Sequence, residues 1–339
     1  MKKLVLKFII ILIWMDTGAQ QVPMYSQYVS NYFLLNPAIA GSNNYTSLRF
    51  CSRQQWAGIK GAPSTQVLSM HARIGKTDFY DRKGRVATET QIKGSDVVTK
   101  KSFILSGKEA IGGFIFNDKN GPITKTGAQF AYAYHLPFYQ FMNRFNKPAQ
   151  LSIGVSTSLF QLVVDESELT LYDENDPVIN HAKQTVFIPD ANFGIYFYNT
   201  NYYAGFSVCD IFQAKIRLRD ASTGENKMVR HYFVMAGYIY EWMREFELEP
   251  SILLKTTEIT PVQIELTTKL RMKNLSFGLS YRTNNDFVGI FDIKLGRYYF
   301  GYSFDYSFGN IITYSNGSHE VILGINIGEN VLAGVRDKK

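Results

Sequence analysis

From residue 246 onward the chain sorts its side chains in pairs. Phe246, Leu248, Pro250, Ile252 and Leu254 alternate with Glu247, Glu249, Ser251 and Lys255. Val262, Ile264, Leu266, Leu270 and Met272 then alternate with Gln263, Glu265, Thr267, Lys269 and Arg271. Tyr298, Phe300, Tyr302, Phe304, Tyr306 and Phe308 form an aromatic column, interleaved with Tyr299, Gly301, Ser303, Asp305, Ser307 and Gly309. A strand turns successive side chains to opposite faces, whereas a helix would spread these residues around its circumference. The period is therefore that of long strands, and very short turns join them.

Length and face chemistry decide what kind of strands these are. A soluble sandwich also alternates, but its typical strand is about 5–6 residues. Strands of about 9–11 residues suit a tilted bilayer crossing, with apolar residues toward lipid and polar ones toward a lumen. Period and turn chemistry predict about fourteen strands, over 46–53, 65–73, 111–117, 126–136, 150–163, 190–198, 202–211, 229–240, 246–255, 262–271, 275–283, 287–295, 298–308 and 319–327. An even count is the bacterial pattern. With a periplasmic start, odd-numbered connections face outward and should be the longer ones. Val164–Pro189 and Phe212–Met228 are long, while Asn199–Asn201, Glu241–Glu245, Met272–Asn274 and Gly296–Arg297 are tight. Ile74–Ala110 breaks the rule, as a periplasmic feature or as a strand pair hidden in a polar insertion.

Composition narrows the picture further. Phe 25, Tyr 22 and Trp 3 make aromatics 15% of the chain, as interfacial girdles require, yet mean hydropathy is slightly negative. A helical membrane protein would be far more apolar. At the start, Lys2 and Lys3 precede an apolar run from Leu4 to Trp14, and Thr17-Gly18-Ala19 offers small residues for cleavage. This is the pattern of a secretory signal peptide, too short to span as a helix. No lipobox cysteine follows. The reading is an all-β chain: a signal peptide at 1–19, an irregular segment at 20–45, a transmembrane antiparallel β-barrel at 46–327 and a tail at 328–339. The segment 20–45 lacks strand period and is expected at the periplasmic mouth, with a lumenal plug as the alternative.

The formal charge of +7 is spread along the chain, without the Lys/Arg cluster and interleaved aromatics of a nucleic-acid groove. Inward-facing Glu247, Glu249, Lys255, Glu265, Lys269, Arg271, Arg282, Asp292, Lys294 and Asp305 mix both signs. Pairing across neighbouring strands is expected of them in preference to a selective ring. Cys51 and Cys209 are expected as buried free thiols rather than a disulfide. His71, His135, His181, His231 and His319 carry no metal-ligand spacing and no Ser/His/Asp signature. His319 beside Glu320 is the most suggestive of them, but no catalytic or cofactor-binding residue is assigned. The carboxylates of Asp165–Asp176 lack the EF-hand pattern and read as a solvated loop. Trp56 reads as an interface anchor.

Tyr25-Ser26-Gln27-Tyr28, Asn36-Pro37-Ala38-Ile39-Ala40-Gly41, Arg53-Gln54-Gln55-Trp56 and Gly61-Ala62-Pro63-Ser64-Thr65-Gln66 follow one another near the start. Asn117-Asp118-Lys119-Asn120-Gly121-Pro122-Ile123 and Ser318-His319-Glu320-Val321 come later. In order and spacing, from about residue 20 to 327, this series resembles the PorP/SprF family of outer-membrane proteins of the type IX secretion system in Bacteroidetes. The insertion between Thr77 and Ser106 is longer than the resemblance leads one to expect. The resemblance implies a non-enzymatic accessory barrel of type IX secretion or gliding motility. Its implied partners are type IX components and a secreted surface protein or a periplasmic lipoprotein. The alternative is a porin-like or hydrophobic-substrate channel of the outer membrane.

Overall fold

The computed structural model describes residues 25–43, 45–74, 79–80, 86–87, 108–137, 149–165, 167, 183–214, 227–243 and 246–328. The signal segment, most of the acidic loop after Asp165, His181 and the tail from 329 lie outside these residues. The wall strands are β1 (Thr46–Gln54), β2 (Ser64–Ile74), β3 (Glu109–Asn120), β4 (Ile123–Pro137), β5 (Ala149–Asp165), β6 (Lys183–Asn199) and β7 (Tyr202–Cys209). They continue as β8 (His231–Tyr238, resuming at Tyr240–Met243), β9 (Phe246–Thr257), β10 (Gln263–Met272), β11 (Leu275–Arg282), β12 (Asp286–Leu295), β13 (Tyr298–Ser307) and β14 (Ser318–Ile327). Each pairs antiparallel with its sequence neighbour, and β1 pairs with β14 from Thr46↔Ile327 to Gln54↔His319. The result is a closed barrel of 14 strands, each paired on both sides along at least part of its length.

All fourteen expected strands are present, and their differences from expectation have local causes. β6 begins at Lys183, ahead of Pro189, where the sequence placed its start at 190. Pro189 is tolerated because, among the described residues, β7 pairs only with Phe193–Tyr198 of β6, so the proline sits on a free edge there. β8 breaks at Ile239, just past the point where the register brings Tyr238 opposite Pro250 of β9, a residue with no N–H to give a ladder. Ile239 turns its own N–H to Asn201 O (2.5 Å), and the strand resumes to Met243, so the turn expected at Glu241–Glu245 is shorter. β2 pairs directly with β3 from Ser64↔Lys119 to Ile74↔Glu109, so no strand stands between them in the wall. Within the insertion, Phe79–Tyr80 pairs with Val86–Ala87 as a separate hairpin.

The outer face carries the lipid contacts. At the end where two-residue turns join the strands, Tyr238, Tyr240, Trp242 and Tyr298 are exposed. At the opposite, long-loop end, Phe212, Tyr281, Phe287, Tyr306, Phe308 and Tyr314 are exposed. Between these bands lie aliphatic residues such as Val155, Val234 and Leu323. Two aromatic girdles around an aliphatic belt are the external signature of a membrane barrel. The inner face is polar and buried, which in a closed barrel requires that something fill the lumen.

Candidate functional site

The lumen is filled by the chain itself. Residues 25–43 run inside the barrel as three short 3-10 turns, Tyr28–Ser30, Tyr32–Leu34 and Pro37–Ile39, so the expectation of a mouth-covering segment is corrected to a lumenal plug. The physical reason is that turns this short satisfy few of their own backbone groups. A polar wall supplies the missing partners, and the buried Tyr28, Phe33, Leu35, Ala38 and Ile39 find apolar contacts on Ala110, Ala131, Ala133, Phe233 and Met235.

At the long-loop end the plug is hooked by charge. Glu320 of β14 accepts the backbone N–H groups of Ser26 (2.7 Å) and Gln27 (2.9 Å), while Gln27 Nε2 donates to the Glu320 carbonyl (3.1 Å). Ser26 Oγ donates to Asp305 Oδ2 (2.6 Å) and accepts from Arg53 and from Arg282 (3.1 Å). Arg53 pairs with Asp305 (2.7 Å) and Glu320 (3.3 Å); Arg282 pairs with Asp305 (2.9 Å) and Glu265 (2.8 Å). Arg53, Arg282, Asp305 and Glu320 are almost wholly buried. Charges in that position are stable only when paired and hydrogen-bonded, and the plug supplies part of that pairing. Arg53 and Glu320 also face each other across the β1–β14 seam, so the hook sits on the junction that closes the barrel.

Midway, Tyr28 OH meets Thr267 Oγ1 (2.9 Å), Asn31 Nδ2 donates to Ser69 Oγ (2.9 Å), and the Tyr32 and Tyr203 hydroxyls bond to each other. Ser30 Oγ accepts from Lys269 Nζ (3.2 Å), which pairs with Asp292 (2.5 Å). Arg271 pairs with Glu249 and, more loosely, with Glu247 (3.9 Å). The mixed-sign pairing expected from the sequence is thus present. It also joins non-adjacent strands and reaches the plug, which a strand-by-strand reading missed.

Toward the short-turn end the backbone of the plug is gripped. Asn36 caps the last turn, accepting from Ala38 N (2.9 Å), and its Nδ2 donates to Ile195 O (3.1 Å) on β6. Pro37 at the first position of that turn loses no needed donor. Ser207 Oγ donates to Leu35 O (2.6 Å) and Ser152 Oγ to Ala38 O (2.6 Å). His135 Nε2 donates to Ala40 O (2.8 Å), His71 Nδ1 accepts from Gly41 N (3.1 Å), and Arg73 Nε donates to Gly41 O (2.8 Å). Two wall glycines make the close approach possible. A Cβ at Gly154 would overlap the Ala38 and Pro37 backbone, and one at Gly194 would overlap the Asn36 side chain. An isolated glycine inside a strand is the signal for such an approach, and sequence reading could have used it. The Asn36–Gly41 motif is therefore the seat of the plug.

The remaining candidates are dispersed. His231 Nδ1 lies 3.2 Å from Asp210 Oδ2 in the lumen, and His319 Nδ1 lies 2.8 Å from the Tyr302 hydroxyl on the lipid-facing side. Cys51 and Cys209 are free thiols. Among the described residues no cluster of three His, Cys, Asp or Glu is arranged to hold a metal. Trp56 adopts φ 42°, a left-handed backbone rare for so bulky a residue. It is held by Ala57 N–Gly317 O and Asn316 N–Ala57 O bonds, both 2.8 Å, at the long-loop rim.

Beyond the rim, Glu258 accepts from Gln213 Nε2 (2.7 Å) and pairs with Arg230 (3.2 Å). The Gln213 amide, then Arg230, hold its carboxyl below the usual glutamate range. Any stabilisation from it is present above that range and fades as pH falls through the lowered value. The pair is exposed and screened, so Glu258→Gln is expected to leave the unfolding midpoint in detergent at neutral pH unchanged.

A closed antiparallel barrel with lipid-facing girdles and a plug made from its own N-terminal segment defines an outer-membrane β-barrel protein. The sequence profile of the type IX secretion system membrane protein PorP/SprF matches residues 17–325. The chain belongs to that family, a family of secretion-system membrane components, and its place is the bacterial outer membrane. No curated protein matches it in sequence. Among solved structures it is similar to the toluene transporter TbuX of Ralstonia pickettii, at 7% identity and TM-score 0.48, over 87% of this chain and 92% of that one. It is also similar to an engineered Rhodopseudomonas blastica porin, at 8% identity and TM-score 0.32, over 84% and 99%.

Proposed function

We propose that this protein is a non-enzymatic accessory component of type IX secretion that works by docking other proteins. It would support the export or surface attachment of a secreted protein through its long-loop face, and meet periplasmic lipoprotein partners through its short-turn face and the 74–110 insertion. A role in the linked gliding machinery belongs to the same reading. The observation that carries this reading is the occupied lumen: residues 25–43 bond to the wall from one end to the other. A lumenal cavity among the described residues, beside Tyr25, Tyr28 and Lys255, measures about 30 Å³, room for a water molecule. A porin-like role needs a water path, and a hydrophobic-substrate channel needs an apolar one. The filled lumen favours neither.

The test is purification of the tagged protein from its native outer membrane in mild detergent, with co-purifying proteins identified by mass spectrometry. Recovery of type IX components or of one large exported protein is expected. A barrel that purifies alone from membranes that contain those components contradicts the docking role.

A further inference from the structure

The left-handed backbone of Trp56 places its side chain on the wall of a pocket that barrel and plug leave unused. The pocket measures about 230 Å³ and lies at the long-loop rim, where the β1–β2 and β13–β14 loops meet. Trp56, Phe304, Tyr306 and Ile312 form its apolar lining, with Ser307 and Asn316 beside them. Phe304 and Tyr306 belong to the lipid-facing column of β13, alternating with the buried Ser303 and Asp305, so the pocket lies on the outer side of the wall. The two loops are tied together. Trp56 N donates to Ser318 Oγ (3.1 Å), and the two Ala57 bonds to Gly317 and Asn316 complete the tie (both 2.8 Å). The site is thus formed before anything enters it. A bulky residue kept at positive φ beside a preformed pocket directs attention to what the pocket holds.

The lining chemistry selects the ligand. Among the described residues, the Trp56 indole N–H, the Ser307 hydroxyl and the Asn316 carboxamide make no hydrogen bond to the protein. An indole only donates, while a hydroxyl and a carboxamide both donate and accept. No described residue of the lining is charged, so a phosphate or carboxylate would find no counter-ion there. An acyl chain would cover the three polar groups and leave them unpaired. A neutral sugar ring satisfies every element of the lining. Its C–H faces lie against aromatic rings, and the hydroxyls on its rim both donate and accept. The volume is below the range of about 300–1,000 Å³ of drug-sized sites, which suits a single ring. Long loops mark the outside of a barrel and aromatic girdles its headgroup level. We infer that this pocket binds the neutral sugar headgroup of an outer-leaflet glycolipid. The opening lies on the lipid-facing column, so the acyl chains of such a ligand stay in the bilayer along the aliphatic belt below Phe304. The site is independent of the docking role, and the two fail separately.

The experiment is native mass spectrometry of the full-length protein released from liposomes in tetraethylene glycol octyl ether. The liposomes are phosphatidylglycerol with a small share of monoglucosyl and monogalactosyl diacylglycerol of matched chains. The parent is expected to retain a sugar lipid well above its share of the membrane. Ser307→Ala combined with Asn316→Ala should lower that enrichment about tenfold, as the loss of two hydrogen bonds would. Trp56→Gly accepts the positive φ and removes the ring, and should lower it too. Phe212→Ala removes an exposed rim aromatic outside the pocket and should leave it unchanged. No enrichment of either sugar lipid in the parent overturns the inference. So does enrichment that survives the pocket variants, or that falls equally in Phe212→Ala, which would make the contact a general one of the girdle. Free methyl glucoside and methyl galactoside form the last arm. If they displace the sugar lipids at equal concentration, the chains add nothing, and the assignment to a membrane glycolipid is overturned in favour of a soluble saccharide.

Discussion

Glu320→Ala is expected to destabilise the barrel by about 3–5 kcal/mol, the cost of removing one partner from a buried charge pair. The side chain is fully buried and serves three donors at once: Arg53 across the seam and the backbone N–H groups of Ser26 and Gln27. Truncation strands the two backbone donors and leaves Arg53 with Asp305 and Ser26 alone, and a buried backbone donor left without a partner costs about 1–3 kcal/mol by itself. Because Arg53 and Glu320 are opposite residues on the first and last strands, the loss falls on barrel closure as well as on the plug. Glu320→Gln keeps an acceptor for the amides but not the charge, so it should lie between the two. The readout is the unfolding midpoint in detergent, followed by the heat-dependent gel shift of a folded barrel. An alanine variant that melts with the parent would show that the hook is not formed.

Gly154→Val combined with Gly194→Val is expected to unseat the plug while leaving the wall intact. Both positions face the Asn36–Ala38 turn, where any Cβ overlaps plug atoms. Overpacking costs typically about 1–3 kcal/mol per site. At about 1.4 kcal/mol per tenfold, two such sites raise the unseated fraction by roughly 30- to 20,000-fold. The gain should appear as swelling of proteoliposomes in a small sugar, which the parent barrel is expected not to support. Gly289→Val is the matched control. Its outward-facing position has nothing within 4 Å of the added carbon, so the same change of side chain should give no swelling. Swelling by both variants would trace the leak to the wall and not to the plug.

The wall of this protein was legible from its side chains because lipid and lumen impose opposite chemistries on alternate residues. The aromatic column Tyr298–Phe308 and the acidic and basic residues opposite Phe246–Leu254 give both period and face at once. The exceptions were at Pro189, where a missing N–H reads as a strand end, and beside Pro250, which the period kept inside its strand but whose neighbour β8 is interrupted. One falls on a free edge and the other is absorbed by the break at Ile239. The site was much less legible. Residues 25–43 have neither helical nor strand period, because their polar groups are satisfied by Ser69, His71, His135, Ser152 and Ser207 on distant strands. Pairwise contacts at such separation leave no local pattern. The traces they did leave were glycines without a turn to explain them, Gly154 and Gly194, and a proline-containing motif in a segment with no strand to join.

The most direct test of the account is the conductance of the unmodified full-length protein in planar lipid bilayers. With residues 25–43 seated along the whole lumen, the account predicts insertion without sustained ion current, and current on introduction of Gly154→Val and Gly194→Val. A steady open-channel current from the unmodified protein would contradict it, and would make a channel the better description of this outer-membrane barrel.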